Sequence, residues 1–394
     1  IPRSHAPPML SRRLPPHAEL NALTRALAAR RTAGRPVVDL TESNPTRAGF
    51  RYPPDLFAEL ASAAALRYEP QPFGLDSARE AVARDHARRG VTIDPGRIVL
   101  TASTSEAYTW LFKLLCDPGD TVLVPRPSYP LFEHLTRLEG ICAVPFHLEY
   151  HGRWEIDFES VDAAPARTRA LVVVSPNNPT GSFVSARELS RLFALCRDRG
   201  WVLIADEVFA EYPLDADAPV TDIAARADVP CFTLGGLSKS AGLPQLKLGW
   251  IVAGGPEAAC AAALAGLELI ADSFLSVSTP VQVAAPHLLE RGAAIRAQIH
   301  ERTRTNLAAL RALATSFPAC EALTIEGGWS AVVRVPATRS EEQLILELLD
   351  REGILVHPGY FFDFPREAFL VMSLLPPPDV FSDAAARVLR VAVS

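Results

Sequence analysis

Two lysines lie in the short segment "LSKSAGLPQLKLGW" (237–250), in a chain that otherwise uses arginine for almost every positive charge. Lys239 and Lys247 are two of only three lysines, with Lys113, among 39 lysine and arginine residues. A buried lysine with a lowered pKa can attack an aldehyde, whereas arginine stays protonated and cannot form an imine. Lys239 follows the apolar run "CFTLGG" (231–236) and is therefore the first candidate for this chemistry.

Other side chains that could do chemistry also follow short apolar runs. Asp206 ends "WVLIAD", where a buried carboxylate is costly unless it has a partner. Capping of a helix could explain Thr104 or Ser105 taken alone, and a turn could explain "NNPTG". The residues at the ends of these runs are Ser103, Thr104, Ser105, Tyr129, Asn177, Asn178, Pro179, Thr180, Gly181, Asp206, Ser238 and Lys239.

The segments that must position these residues alternate between two sequence patterns, one typical of strands and one typical of helices. Apolar, β-branched runs predict strands at 97–102, 121–125, 170–176, 201–207, 231–236 and 248–255. Between them, helical patterns occur at 104–116 and 185–200. The second pattern opens with Ser185 as N-cap, carries Glu188 three residues later and closes with Gly200.

This alternation predicts an α/β fold with a mostly parallel sheet sandwiched by helices. Ligands bind outside the carboxyl ends of the strands in such sheets, which is where the candidate residues lie. After residue 290 the sequence pattern changes and predicts a long helix followed by mixed strands and helices. We therefore expect an N-terminal arm (1–20), a small α+β domain built from both ends (21–50 and 290–394), and a large domain (51–289).

Composition excludes several functional classes. The net charge of −6 gives no basic face for nucleic acid, and no run of 18 apolar residues predicts a membrane span. The six cysteines are scattered without CxxC spacing, which predicts reduced cysteines in a cytoplasmic protein and no metal site.

A lysine, a carboxylate and a phosphate cradle together meet the requirements of one cofactor, pyridoxal 5′-phosphate. The lysine forms a Schiff base with the aldehyde, and the carboxylate keeps the pyridine nitrogen protonated so that the ring withdraws electrons. Hydroxyl groups at a helix N-terminus, together with a cation, bind the phosphate.

The motifs "SPNNPTG", "ADE" and "SKSAGLPQLKLGW", in this order, resemble those of fold-type I pyridoxal-phosphate enzymes of the class I/II aminotransferase family. The resemblance runs from about Asp39 to the C-terminus and implies the aspartate-aminotransferase-like fold with a sheet of the seven-stranded type. It implies that Lys239 is the Schiff-base and proton-transfer residue and that Asp206 pairs with the ring nitrogen. Asn178 would bond the phenolic oxygen, and Tyr129 would stack on the ring.

The resemblance also assigns the remaining contacts. Thr104, Ser105 and Ser238 correspond to phosphate-binding positions, and Tyr68 to a tyrosine that reaches the phosphate of the neighbouring subunit in a homodimer. "LTESNPT" (40–46) resembles the segment that covers the substrate, which makes Ser43 and Asn44 candidate substrate contacts.

Three positions depart from the family pattern. Lys247 stands where a phosphate-binding arginine is usual, and Phe209 where many relatives have a tyrosine that bonds the phenolic oxygen. In "FLVMSLL" (369–375), Val371 stands where relatives carry the arginine that binds the substrate carboxylate. Arg47 and Arg366 are the candidates for replacing it; otherwise the substrate is atypical.

The sequence favours an aminotransferase that moves an amino group between an amino donor and a keto acceptor. A β-eliminating C–S lyase or a decarboxylase on the same fold is an alternative, because one electron-withdrawing ring serves all three reactions. A non-catalytic sensor module ranks below both, since the segment before Asp39 is shorter than a DNA-binding domain of ~60 residues.

Overall fold

The computed structural model describes residues 11–15, 21–215 and 221–394. The predicted N-terminal arm (1–20) therefore lies mostly outside the described residues. In the described part, the α-helices are α1 (Ala22–Thr32), α2 (Asp76–Ala87), α3 (Thr104–Leu115), α4 (Phe132–Glu139), α5 (Phe158–Asp162), α6 (Ala186–Arg199), α7 (Ile223–Arg226), α8 (Leu237–Ser240), α9 (Glu257–Asp272), α10 (Thr279–Thr315), α11 (Glu341–Glu347) and α12 (Pro378–Val393).

The strands are short and mostly buried. In chain order they are β1 (Val38–Asp39), β2 (Ile98–Thr101), β3 (Thr121–Arg126), β4 (Cys142–Tyr150), β5 (Trp154–Ile156), β6 (Thr168–Val174), β7 (Val202–Asp206), β8 (Cys231–Gly236), β9 (Gly249–Gly254), β10 (Glu321–Ala322), β11 (Ser330–Arg334), β12 (Ile354–Leu355), β13 (His357–Pro358) and β14 (Phe369–Ser373). Short 3-10 turns lie at Pro45–Arg47, Ala58–Ala61, Ala63–Leu66, Pro95–Arg97, Pro244–Leu246 and Gly359–Phe362, and a π-turn at Leu348–Glu352 continues α11.

The large sheet has the strand order β2-β9-β8-β7-β6-β3-β4-β5. Strands β8, β7, β6, β3 and β4 are parallel, whereas β9 and β5 run antiparallel to their neighbours. The α/β architecture with a mainly parallel sheet is confirmed, and each of the six predicted runs contains a strand. The sheet has eight strands rather than seven, because β4 extends into a hairpin with β5 that the apolar runs did not indicate.

Helix α6 shows why local sequence was informative here. The Ser185 hydroxyl accepts a hydrogen bond from the Glu188 amide at 3.3 Å, and the Glu188 carboxylate accepts one from the Ser185 amide at 2.8 Å. Gly200 ends the helix in the left-handed conformation. This reciprocal cap is the predicted one, and it fixes the helix that connects β6 to β7.

The small domain contains the antiparallel sheet β10-β11-β14-β13 and the parallel pair β1-β12. The pair joins residues near the start of the chain to residues near its end, with Val38 beside Ile354 and Asp39 beside Leu355. Residue 290, where the sequence placed the boundary, lies inside the continuous helix α10, which contacts both α2 and α12.

The described residues can be searched for membrane-spanning helices, paired cysteines and clusters of possible metal ligands. None of the helices is both long and apolar enough to span a membrane. All six cysteines are free, and four of them are buried. The described part holds no cluster of His, Cys, Asp or Glu side chains suited to a metal ion.

The loop after β6 packs tightly against the small domain at Gly181. Gly200, at the end of α6, serves as a control with the same backbone conformation and open surroundings. Gly181 has φ +67°, and a Cβ there would lie 2.5 Å from Ile325 Cγ2 and 2.6 Å from the Gly327 carbonyl oxygen. Gly200 has φ +68°, but a Cβ there would meet nothing within 4 Å. The two positions share the same left-handed backbone and differ in their surroundings.

We therefore expect Gly200→Ala to cost ~1 kcal/mol of stability, the price of a left-handed non-glycine residue. Gly181→Ala should lower the melting temperature clearly more, because it adds the clash to the same backbone strain. Thermal unfolding of the two variants beside the parent protein measures both effects. Equal losses would contradict the close packing of this loop.

Candidate active site

A cavity of about 400 Å³ opens at the carboxyl ends of the large sheet and is closed on its other side by the small domain. Most of the candidate residues meet there, although they are far apart in the sequence. Those that line it are Ser43, Thr104, Ser105, Tyr129, Asn178, Asp206, Phe209, Ser238, Lys239, Lys247 and Val371.

Asp206 is the last residue of β7, in register with Val174 of β6 and Leu234 of β8. Its Oδ2 accepts a hydrogen bond from Tyr108 Oη at 2.9 Å, and its Oδ1 accepts one from the Val208 amide at 3.1 Å. Burial raises the pKa of Asp206 to about 6, although both hydrogen bonds and the charge of Lys239 oppose the rise. The carboxylate is thus held in a fixed orientation at the cavity wall, without an ion pair to any described residue.

Lys239 lies in α8, the single helical turn that follows β8. Its Nζ is 4.9 Å from the centre of the Trp329 ring and 5.4 Å from the centre of the Phe209 ring. Burial lowers the pKa of Lys239 to about 8, and the charge of Asp206 only partly opposes this effect. The amine is therefore easier to deprotonate than an ordinary lysine, as a nucleophile must be.

The backbone of this turn is fixed from two sides. Tyr212 Oη donates to the Lys239 carbonyl oxygen at 2.6 Å, and the buried Arg296 Nη1 donates to the Ser240 carbonyl oxygen at 2.8 Å. Lys113, by contrast, forms an ion pair with Glu139 and does not line the cavity.

The start of α3 presents hydroxyl groups to the cavity. Ser103, not Thr104 or Ser105, is the N-cap, since its side chain accepts a hydrogen bond from the Glu106 amide. The side chains of Thr104 and Ser105 form no hydrogen bond to the part of the chain that the structure describes. Together with Ser238 and Lys247, they make a cradle of hydroxyls and one positive charge at a helix N-terminus, which suits a phosphate.

Three further residues surround the space between Lys239 and Asp206. Tyr129 is half exposed at the cavity mouth, and Phe209 has no polar atom to offer. Asn178 follows β6, and its Oδ1 accepts a hydrogen bond from Ser330 Oγ at 3.3 Å. That bond orients the amide and leaves Nδ2 to donate into the cavity.

The two arginines suggested as carboxylate ligands do not line the cavity. Arg47 ends the 3-10 turn Pro45–Arg47 and is exposed, and Arg366 is exposed in the bend before β14. Asn44 is also outside, because its side chain caps that turn by accepting from the Thr46 amide at 3.0 Å. The cavity lining thus includes none of the three, and a contact between any of them and the substrate stays a prediction.

Tyr68 lies away from this cavity as well. It is 73% exposed and lines a separate groove with Trp110 and Gln282. Contact with the phosphate of a neighbouring subunit, which the resemblance implied, stays a prediction.

The structure adds residues that the sequence did not single out. Tyr108, which orients Asp206, lies one helical turn after Thr104, and this i, i+4 spacing was the available signal. The small domain contributes others to the cavity, namely Trp329, Ser330, His357, Phe362 and Ser373. No local pattern marks them, since their position depends on how the small domain packs onto the large one.

Comparison with known proteins decides the family. Residues 35–378 match the model of the family described as aminotransferase class I and II. The chain belongs to this family. It is thus a pyridoxal-phosphate-dependent aminotransferase with the aspartate-aminotransferase-like fold.

Curated relatives and solved structures agree with this assignment. The chain is 29% identical over 355 residues to the alanine aminotransferase of Mycobacterium tuberculosis H37Rv, a match that covers 87% of this chain and 82% of the relative. It is 28% identical over 349 residues to the glutamate-pyruvate aminotransferase AlaA of Escherichia coli K12, covering 84% of each chain. A double mutant of the Thermus thermophilus aspartate aminotransferase superposes with a TM-score of 0.82 at 25% identity, covering 97% of this chain and 99% of the other.

The residues present fit pyridoxal phosphate. A buried carboxylate without an ion pair, a lysine with a lowered pKa and hydroxyls without partners all line one cavity of suitable size. Each would gain from the cofactor what the chain alone does not supply: a ring N–H, an aldehyde and a phosphate.

The lowered pKa of Lys239 predicts how the cofactor-free enzyme captures pyridoxal phosphate. Only the neutral amine attacks the aldehyde, so the capture rate should rise with pH, reach half its maximum near pH 8 and then level off. Asp206→Asn removes a charge that raises the pKa of Lys239, and it should therefore move this midpoint below that of the parent. Stopped-flow absorbance measures both curves, and a midpoint near the ordinary lysine value of 10.5 would contradict the burial effect.

Proposed function

We propose that the enzyme transfers amino groups through a covalent bond between Lys239 and pyridoxal phosphate. The observation that carries this proposal is the pairing of Lys239 with Asp206 across one cavity, on the ends of adjacent parallel strands. The distribution of the other polar groups around this pair supports a role for each of them.

The cofactor, when bound, supplies a ring that withdraws electrons from the substrate carbon. Asp206 keeps the ring nitrogen protonated, and Tyr108 and the Val208 amide hold its carboxylate in place. Asn178 would hold the cofactor through its phenolic oxygen, and Tyr129 would cover the ring. Lys239 Nζ, with its lowered pKa, would take up and return a proton at the substrate carbon.

The phosphate contacts come from Thr104, Ser105, Ser238 and Lys247. Lysine supplies the charge as a single point donor, without the two-pronged geometry of arginine. Tyr68 completes the cradle from the neighbouring subunit of a homodimer. Exposed apolar side chains, including Leu66 at 90% and Leu269 at 73% exposure, are what a surface that pairs with another chain would present.

The names of the relatives favour transamination over elimination or decarboxylation. The Mycobacterium tuberculosis and Escherichia coli relatives are aminotransferases, whereas the lyase or decarboxylase alternative is supported only by Val371 at the position of the usual arginine. The cytoplasmic location expected from the cysteine pattern stays a prediction.

Borohydride reduction tests the covalent bond directly. The purified enzyme should be yellow, borohydride should abolish the visible band, and peptide mapping should place the reduced label on Lys239. Asp206→Ala should keep the label and lose turnover by several orders of magnitude, because the ring is no longer held protonated. A label on Lys113 or Lys247, or an Asp206→Ala variant with most of its activity, would overturn the assignment.

Asp206→Glu is the control that separates the charge of the carboxylate from its position. It retains the carboxylate but shifts it by one methylene, so we expect a loss of turnover between those of the parent and Asp206→Ala.

A further inference from the structure

The cavity has two walls of different chemistry. The wall from the large domain carries Lys239, Lys247 and the hydroxyls at the start of α3. The wall from the small domain carries Trp329, Ser330, His357, Phe362, Val371 and Ser373. No lysine or arginine among the described small-domain residues lines this second wall.

Val371 lies in the strand β14, between β11 and β13. It is 2% exposed, in register with Val332 on one side and His357 on the other. Its side chain can neither donate a hydrogen bond nor carry a charge, and its neighbours in the sheet fix it in place.

His357 does not supply the missing charge. Its ring stacks on Phe361 with the ring centres 4.8 Å apart, and it meets Phe362 edge-on at 5.5 Å. Burial lowers the pKa of His357 to about 4, so the imidazole is neutral at neutral pH.

The hydroxyl groups of Ser373 and Ser330 on this wall already donate hydrogen bonds within the protein. Ser373 Oγ donates to the Glu42 carbonyl oxygen at 2.6 Å, and Ser330 Oγ donates to Asn178 Oδ1 at 3.3 Å. Ser373 Oγ also accepts a hydrogen bond from the Leu375 amide at 3.2 Å, so one of its lone pairs and those of Ser330 Oγ are left to accept from a ligand. The free donors that remain are uncharged: Ser43 Oγ at the exposed rim, and the buried Trp329 Nε1, which has no hydrogen-bond partner among the described residues.

A wall of this kind is unsuited to a carboxylate. A carboxylate accepts hydrogen bonds only, and the neutral donors Trp329 Nε1 and Ser43 Oγ do not balance its charge, so burying it here without a cation is costly. A neutral group that donates hydrogen bonds matches the free lone pairs, and an apolar group matches Val371 and Phe362.

Resting on the proposed function, we infer that the preferred amino substrate carries an uncharged substituent where an α-amino acid carries its carboxylate. The chemical class is a primary amine with a neighbouring hydroxyl or apolar group, such as an amino alcohol. Its amino group and the hydrogen on the same carbon are exchanged for the oxygen of the keto acceptor. The products are an aldehyde or ketone and the aminated acceptor, and no external oxidant is needed.

Matched substrate pairs test this inference on the wild-type holoenzyme. Alaninol and alanine differ only in the group that meets the small-domain wall, as do leucinol and leucine. Stopped-flow loss of the visible band should be about tenfold or more faster, as a second-order rate constant, for each amino alcohol. Rates for alanine or glutamate equal to or above that for alaninol would overturn the inference.

Binding without turnover gives an independent measurement. The compounds 2-amino-2-methyl-1-propanol and 2-methylalanine both lack the hydrogen that must be removed, so spectral titration of the holoenzyme reports affinity, provided that a parallel assay finds no carbon dioxide released from 2-methylalanine. The alcohol should bind about tenfold or more tightly than the acid. The opposite order would contradict the account of the wall.

Substitution of Val371 tests which residue sets the preference. Val371→Arg should reverse the order of the two probes, because it places a cation in the wall, whereas Val371→Met adds length without charge and should not. A folded Val371→Arg variant that keeps the wild-type order would overturn the role of this position. If Val371→Arg does not fold, the wild-type order and Val371→Met still decide the inference.

The two levels of proposal fail in different ways. A reduced label absent from Lys239 overturns the proposed function and this inference with it. A label on Lys239 together with faster reaction of alanine than of alaninol overturns only the inference, and would show that a cation reaches the cavity from elsewhere, such as the neighbouring subunit.

Discussion

The constraint on which this structure depends is the burial of two opposite charges in one cavity. Asp206 and Lys239 lie at the ends of neighbouring parallel strands, where the sheet brings them together without an ion pair. Burial moves the pKa of each toward neutrality, to about 6 and about 8 respectively. The surrounding hydrogen bonds, from Tyr108 to the carboxylate and from Tyr212 to the lysine backbone, hold groups that a cofactor must satisfy.

The two walls of the cavity differ in their proposed roles, one toward the cofactor and the other toward the substrate. Under the proposed function, residues of the large domain hold the cofactor, and these positions follow from strand ends and one helix N-terminus. The small domain would then meet the substrate through side chains on β11, β13 and β14. Because the walls come from separate sheets, substitutions such as Val371 can change substrate preference without disturbing the residues that bind the cofactor.

The sequence predicted the parts of this arrangement that depend on local order. Six apolar runs located six strands of the large sheet, and the candidate residues at their ends line the cavity because parallel strands end at one edge. The β4–β5 hairpin was missed because β4 mixes exposed and buried residues. Arg47 and Arg366 do not line the cavity, because nearness in sequence to a cavity residue does not place a side chain in the cavity wall. Tyr108 and the small-domain wall depend on contacts between distant segments, and these become visible only in the folded chain.

Nitrogen-15 NMR of the enzyme reconstituted with ring-labelled pyridoxal phosphate tests the central claim most directly. The account predicts a protonated ring nitrogen in the parent enzyme at neutral pH, and an unprotonated one in Asp206→Ala. In Tyr108→Phe the nitrogen should titrate at lower pH than in the parent, since loss of the hydrogen bond raises the pKa of Asp206 and weakens its pairing with the ring. An unprotonated nitrogen in the parent, or the same protonated signal in Asp206→Ala, would contradict the account.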